Sequence, residues 1–572
     1  MYILGLTTLG DSAATLIRDG ELIAAAEEER FSRVKHHSGF PYHAMAYCLE
    51  SAGIGIGDVD HISLYWKPWI LGHKAMQALK AITISPAMFF ARVDRGVTQV
   101  SESYLGMLKT PGLIRRHFGP GSFRFRYLEH HMCHAASAFL VSPFERAAIL
   151  TIDGTGEETT TLFSQGEGGR IRPLKRIRLP HSLGQFYSAV TNYLGFDMFS
   201  GDEWKIMGLA AYGRPVYADY FSRRVLTIHG DDEFRVNIRA LDHHLAKRYQ
   251  FGPEIQEALG PPRKPGEEID ERHQNIAASA QRVVEDVVLH LLAGLHKRTG
   301  EENLCLAGGV AFNSVMNGRI VNESPFKRVF IQPAAGDAGC SLGAAFLTWN
   351  GILNQPRRFQ MEHAYWGPGF TNDDCARALR AAGLAFETLP DELLLPKVAR
   401  MISEGAIIGW FQGRMEFGPR ALGNRSFIAD PRRRDMRDLL NHKVKLREWF
   451  RPLAPSMLEE ASPAIFGAPV YDPFMATVFA VAEEQRHRMP AVVHVDGTAR
   501  PQTVSARVNP RYWRLIHEFE RLTGVPALLN TSFNIQEPIV CRPEDAIRTF
   551  QHANFDALVL ENHLILRTEP EA

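Results

Sequence analysis

The chain has 572 residues, of which 45% are hydrophobic and 22% charged. These are ordinary proportions for folded globular protein and too apolar for disorder. Lys plus Arg equals Asp plus Glu at 64 each, so no bulk positive field exists to hold nucleic acid or an anionic membrane. Six scattered cysteines without a CxxC pair exclude a disulfide scaffold or a zinc ribbon. With neither a signal-like start nor a spanning apolar run, they point to the cytoplasm.

In chain order, residues 3–6, 13–17 and 22–26 are predicted strands. They are joined by the turn Gly10-Asp11-Ser12 and by the hairpin signal Asp19-Gly20. The pattern returns in strands at 148–152 and 159–163, with turns at Asp153-Gly154-Thr155-Gly156 and at 166–169. Such a duplicated β-meander predicts two related α/β lobes, the layout of actin-like ATPases (the actin, sugar-kinase and Hsp70 class). A helix over 275–295 leads to a strand at 303–307 and then Gly308-Gly309 and Asn313. Paired glycines there let the backbone approach a charged ligand, and the helix that follows favours anions. No GxxxxGK[ST] loop occurs, which disfavours a P-loop enzyme.

Between the two copies, His130 and His134 stand at i, i+4 in HHMCHAASA. On a helix that spacing puts both imidazoles on one face. Asp153 in LTIDGTG and Asp337 in PAAGDAGCSLGAA complete a set of two His and two Asp in glycine-rich turns. Those donors suit iron(II), manganese or zinc. Residues 66–123, with an amphipathic stretch at 76–84, read as an insertion that faces a substrate or equally as a packing element or subunit contact.

Pro and Arg at 355–358 mark a domain boundary, giving domains at 1–352 and 360–572. Beyond it, GRMEFGPRALGNRS brackets Arg414, Arg420 and Arg425 with glycines, material for an oxyanion or phosphate cradle. A second basic cluster, Lys443, Lys445, Arg447 and Arg451, lies in HKVKLREWFRPLAP, and Arg500, Asn530 and Ser532 add later donors.

Taken in order, EEERFSRVKHHSGFP, HHMCHAASA, IDGTGEE, KIMGLAAYG, AGGVAFNS, GDAGCSLGAA, GRMEFGPRALGNRS, REWFRPLAPS and LLNTSFN resemble the O-carbamoyltransferases of the nodulation and antibiotic-tailoring type over essentially the full length. The resemblance implies a threonylcarbamoyltransferase-like, actin-type N-terminal domain and an α/β YrdC-like C-terminal domain. It implies transfer of a carbamoyl group from carbamoyl phosphate to a small-molecule hydroxyl, with ATP and Mg as co-substrate and a carbamoyladenylate intermediate. His130, His134, Asp153 and Asp337 would hold the metal. Gly154, Thr155, Gly156, Lys205, Gly308, Gly309 and Asn313 would line the ATP site. Arg420, Lys445, Arg451, Arg500, Asn530 and Ser532 would bind carbamoyl phosphate, with Lys445 and Arg451 also catalytic.

The family's first-turn His is replaced here by Gly10, and His37 stands where the family has Asp. His37 or Asp11 is therefore the expected base toward the acceptor. The competing expectations are a threonylcarbamoyl transferase acting on tRNA, an actin-class kinase, and a nucleotide-gated scaffold without turnover. The carbamoyl-transfer reading predicts no nucleic-acid or membrane partner and admits a homo-oligomer.

Overall fold

A computed structural model describes residues 1–70, 105–237, 240–241 and 252–567. The amphipathic stretch predicted at 76–84 lies outside the described residues. The chain divides into two compact units: Met1–Glu28 with His36–Met361, and Glu29–Lys35 with Glu362–Ala572.

The first unit carries two five-stranded sheets of one design. β1 (Tyr2–Thr7), β2 (Ala13–Arg18) and β3 (Glu21–Glu27) form an antiparallel meander. β4 (His61–Leu64) and β5 (Arg124–Tyr127) add in parallel, in the order 3-2-1-4-5. Asp19 (φ 51°) and Gly20 (φ 85°) make the two-residue turn of the first hairpin, a geometry matched to strand twist.

The second sheet repeats the scheme. Its meander is β6 (Arg146–Ile152), β7 (Thr159–Glu167) and β8 (Arg170–Arg178). A short hairpin, β9 (Leu226–His229) and β10 (Glu233–Val236), stands apart. β11 (Asn303–Ala307) and β12 (Arg328–Ile331) then join β6 in parallel. Two sheets of identical order and sense are the duplicated actin-like arrangement, and the chain is an α/β protein.

Helix α1 (His130–Phe139) lies on the second sheet, α2 (Glu271–Thr299) leads into β11, α3 (Ser314–Glu323) follows it, and α4 (Asp337–Phe346) lies on the first sheet. α2 buries Ala277, Ala280, Val284, Val287, Leu291 and Leu295 at helical spacing. Its Asp270 cap accepts the His273 N–H at 3.0 Å, and left-handed Gly300 ends it. α1 and α4 pack on each other closely at Gly343, where a Cβ would overlap the Cys133 carbonyl, and α4 approaches β1 as closely at Gly5, where one would overlap the Ser341 carbonyl. The Thr15 and Ser341 hydroxyls hydrogen-bond at 2.7 Å and fix α4 on β2.

The second unit is built on one mixed eight-stranded sheet. In chain order its strands are β13 (Glu387–Thr388), β14 (Ile408–Phe411), β15 (Arg425–Ala429), β16 (Ala454–Leu458), β19 (Gln502–Val504), β20 (Ala527–Ser532), β21 (Ala557–Leu560) and β22 (His563–Leu566). A separate ribbon pairs β17 (Phe479–Ala480) with β18 (Thr498–Ala499). Helices α5 (Asp391–Ser403), α6 (Pro510–Thr523) and α7 (Pro543–His552) bring Leu395, Val398, Leu515, Phe519 and Phe550 to the core. The segment Glu29–Lys35 belongs to this unit. Phe31 packs on Met415, Ile539 and Cys541, Arg30 donates to the Gly418 carbonyl at 2.9 Å, and Arg33 donates to those of Pro538 and Ile539.

Candidate metal centre and anion pocket

In the first unit, α1 delivers His130 and His134 one turn apart, the end of β6 delivers Asp153, and the first residue of α4 is Asp337. Their ligand atoms converge. The two Nε2 atoms are 3.0 Å apart, and His130 Nε2 lies 3.2 Å from Asp153 Oδ2 and 3.8 Å from Asp337 Oδ1. His134 Nε2 lies 3.9 Å from each of those two oxygens. These spacings are of the order of the ~3.0–3.5 Å ligand–ligand edges around an ion bonded at about 2.1 Å.

The electrostatics fit a cation as well. Burial, with the neighbouring His134, pushes His130 down to about 4, so at neutral pH it presents a lone pair rather than a positive charge. Burial would raise Asp153, but the hydrogen bonds and charge of His130 and His134 outweigh it and hold the carboxyl well below the usual range. Asp337 goes the other way, raised by burial and then by the charges of Asp153 and Asp11. Two imidazole lone pairs and two mutually repelling carboxylates meeting in a buried place are the donor set of a divalent ion, and these residues fit one.

The surroundings hold the set in place. Gly309 N–H donates to Asp153 Oδ1 at 2.9 Å, and Tyr65 Oη donates to Asp337 Oδ2 at 3.1 Å. Glu157 accepts the backbone N–H of Lys67 and, at the start of α1, that of His130. Burial lifts its carboxyl to about 7. Sequence reasoning singled out neither Tyr65 nor Glu157. Glu157 sits four residues after Asp153 in the same glycine turn, a signal that was available; Tyr65 gives none.

Of the residues expected for ATP, Gly156 and Gly309 touch residues of this centre, and the others have duties of their own. Gly308 (φ 95°) admits only glycine, since a Cβ would overlap the Ile152 carbonyl. Gly156 leaves room for the rings of His130 and His131, and Gly154 faces open space. Thr155 Oγ1 turns to the Gly156 carbonyl. Asn313 caps α3 through the Met316 N–H and pairs with Gln281. Lys205 is held by Asp202 at 2.8 Å.

Gly10 (φ 63°) stands against Asp337: a Cβ there would lie 3.1 Å from Oδ2. Beside it, Asp11 Oδ1 is 2.7 Å from Nδ1 of His36. Of the two residues expected as the base, Asp11 thus meets His36, while the His37 backbone carbonyl accepts the Ser12 N–H.

In the second unit the expected donors also come together. Lys445 is 2% exposed, and its Nζ donates to the Ser532 carbonyl (2.6 Å), Ser532 Oγ (2.9 Å) and Asn534 Oδ1 (2.9 Å). Asn530 donates to the Ala421 carbonyl and to Ser456 Oγ. Burial drives Lys445 well below its ordinary value, helped by Arg447 and Arg451. Burial and neighbouring Arg420 do the same to Arg500, and burial lowers Arg420 itself to about 10. Cations that repel one another in this way make the cluster a candidate site for an anion.

Of the three glycine-bracketed arginines, Arg420 belongs to this pocket and the others do not. Arg425 is fully buried, with its guanidinium 3.5 Å from the Phe411 ring and donating to the carbonyls of Gln412, Asn424, Pro368 and Gly413. Arg414 donates to Gly367 and Trp366. Both fasten the loop rather than present charge to a ligand.

Comparison with known proteins decides the family. The family model described as Carbamoyltransferase N-terminus matches residues 2–346, and that described as Carbamoyltransferase C-terminus matches 399–567. The chain belongs to the carbamoyltransferase family. This carbamoyltransferase is 39% identical to the nodulation protein NolNO of Sinorhizobium fredii, over 98% of its own length and 79% of that protein's. It is also 41% identical to an uncharacterised protein of Synechocystis, over 99% of this chain and 97% of the other. Among solved structures, component A of the (R)-2-hydroxyglutaryl-CoA dehydratase of Acidaminococcus fermentans aligns at 16% identity and TM-score 0.34, over 60% of this chain and 96% of the other. Among the described residues no helix is long and apolar enough to cross a membrane.

Proposed function

We propose that this enzyme moves the carbamoyl group of carbamoyl phosphate, through carbamoyladenylate, to a hydroxyl of a small molecule. The observation that supports the first half is the like-charged cluster Arg420, Lys445, Arg451 and Arg500, with Lys445 buried, the three arginines half-buried and the repulsion among them only partly offset by Asp472 and Glu448. A carbamoyl phosphate dianion would relieve that repulsion, with Asn530 and Ser532 holding its carbamoyl end. Water releases inorganic phosphate and carbamate; a carbamate oxygen then attacks the α-phosphorus of ATP and expels pyrophosphate. Lys445 and Arg451 neutralise the charge that gathers on the departing oxygens. In the first unit, Gly154–Gly156, Gly308, Gly309, Asn313 and Lys205 would receive the adenylate.

His130, His134, Asp153 and Asp337 would hold the metal, for which iron(II) is proposed; manganese and zinc suit the same donors. Bound there, the ion supplies positive charge to oxygens that become negative during transfer. The acceptor oxygen attacks the carbamoyl carbon, AMP leaves, and the acceptor proton passes to a base at the first turn. Asp11 with His36, or His37, supplies it. A small hydroxyl compound such as a sugar or antibiotic is the proposed acceptor class.

Pyrophosphate and AMP release, measured with ATP, iron(II) and carbamoyl phosphate and with each omitted in turn, tests the reading. Pyrophosphate release that needs carbamoyl phosphate is the expected result. Formation of ADP, or turnover indifferent to carbamoyl phosphate, overturns it in favour of a kinase.

A further inference from the structure

The anion pocket contains one more guanidinium than the set above uses. After the helical turn Leu439–Val444 the chain passes through Lys445, Leu446 and Arg447. Leu446 has φ 47°, a left-handed conformation that is strained for a non-glycine residue. Its side chain is 63% exposed, so neither backbone preference nor apolar burial accounts for that geometry. What the turn achieves is orientation: with Leu446 turned outward, Lys445 is buried and Arg447, half-buried, has its Nη2 enclosed on the other side.

Asn441, fully buried, secures the result. Its carbonyl accepts the Arg447 N–H at 2.9 Å, its Oδ1 accepts Arg447 Nε at 2.7 Å, and its Nδ2 donates to the Arg451 carbonyl at 3.0 Å. One Asn side chain thus positions Arg447 and the backbone of Arg451 together.

The far end of Arg447 is left without a partner. Its Nη2 is buried and unbonded, as is Nε of neighbouring Arg500. Burial and then the Arg451 charge push Arg447 down to about 9. Glu448, the adjacent carboxylate, is taken by Arg451 at 2.6 Å. Asp472, the carboxylate facing Arg420 and Arg500, is engaged by the N–H groups of Phe474, Ala476 and Thr477. A buried donor with no acceptor, among cations whose counter-charges are committed elsewhere, needs an anionic oxygen.

We propose that Arg447 is a direct ligand of a phosphoryl group in this pocket, aimed by the left-handed Leu446 and positioned by Asn441. The proposal deepens the anion-binding half of the proposed function and is independent of the adenylate chemistry.

Titration calorimetry with inorganic phosphate tests it on the full chain. Arg447→Gln is expected to weaken phosphate binding at least tenfold. Arg447→Lys should fall in between, since an ammonium keeps the charge without the planar fork. Lys443→Gln, the same charge change at an exposed neighbour, should stay within twofold of the parent.

Thermal unfolding separates a ligand from a merely structural residue. Without phosphate, Arg447→Gln should melt no lower than the parent, because a repelled cation has gone; with phosphate, its stabilisation should be smaller. Phosphate binding by Arg447→Gln within twofold of the parent overturns the proposal, as does a loss that Lys443→Gln reproduces or no phosphate binding by the parent. If the Arg447 effect holds while the parent releases no pyrophosphate with carbamoyl phosphate, Arg447 stands as an anion ligand and the transfer reading falls.

Discussion

Asp472 shows how a single residue in the anion pocket couples ligand chemistry to stability. Burial lifts its carboxyl to about 6 against the backbone N–H groups that favour the charged form. The folded protein therefore binds this proton more tightly than the unfolded chain, whose Asp titrates near 3.8. The associated stability is fully present below about pH 4 and is lost as pH rises to 6, amounting to roughly 3 kcal/mol. Urea unfolding between pH 4 and 7 checks this: the parent should lose stability relative to Asp472→Asn as pH rises, and parallel curves would refute it. Residue identity was most legible where spacing alone determines direction. His130 and His134, four apart on a helix, had to share a face, and their convergence with Asp153 and Asp337 follows from glycine turns at strand and helix ends. It was least legible where orientation depends on local backbone. His36 and His37 are equivalent as letters, and φ 50° at His36 with φ 130° at Gly39 sets which ring meets Asp11. Arg414, Arg420 and Arg425 likewise look alike until the carbonyls around two of them are seen.

At the scale of elements, the spacing of α1 and α4 governs the candidate metal centre, because each carries side chains of the donor set. Gly343 lets α4 approach the Cys133 carbonyl on α1. Gly343→Ala should force the helices apart and lower metal content at least tenfold after dialysis, read by elemental analysis, with a fall in melting temperature. Unchanged metal content would show that the four ligands reach one another without that contact. The meanders were legible because hairpin residues and apolar runs agree locally. The two- and three-residue strands β13, β17, β18 and β19 carry no comparable signal, since pairing partners distant in sequence create them. The three-residue separation of Asp337 and Cys340 on α4 also brings the Cys340 thiol within ligand range of His130 and His134, which composition alone did not suggest.

For the whole molecule, the proposed ligands divide between the two units, a metal in the first and an anion in the second, and calorimetry should register both. Removing metal with a chelator is expected to lower the unfolding transition of the first unit, and adding inorganic phosphate to raise that of the second. One transition moved equally by both treatments would show that the units unfold together. The duplicated sheets could be anticipated because each copy is local in sequence. The passage of Glu29–Lys35 into the second unit could not, because nothing in those seven residues names partners more than 350 positions away.

That passage has a consequence for synthesis. Phe31 and Arg33 leave the ribosome hundreds of residues before Met415, Ile539 and Pro538, against which they are seated. At roughly 5–20 residues per second the wait lasts tens of seconds. Through that interval β3 is already made while the residues that follow it have nowhere to dock. The nascent chain must keep a short basic and aromatic stretch exposed and uncommitted until those distant partners are made, so the order of translation and the order of assembly run opposite to each other at this point.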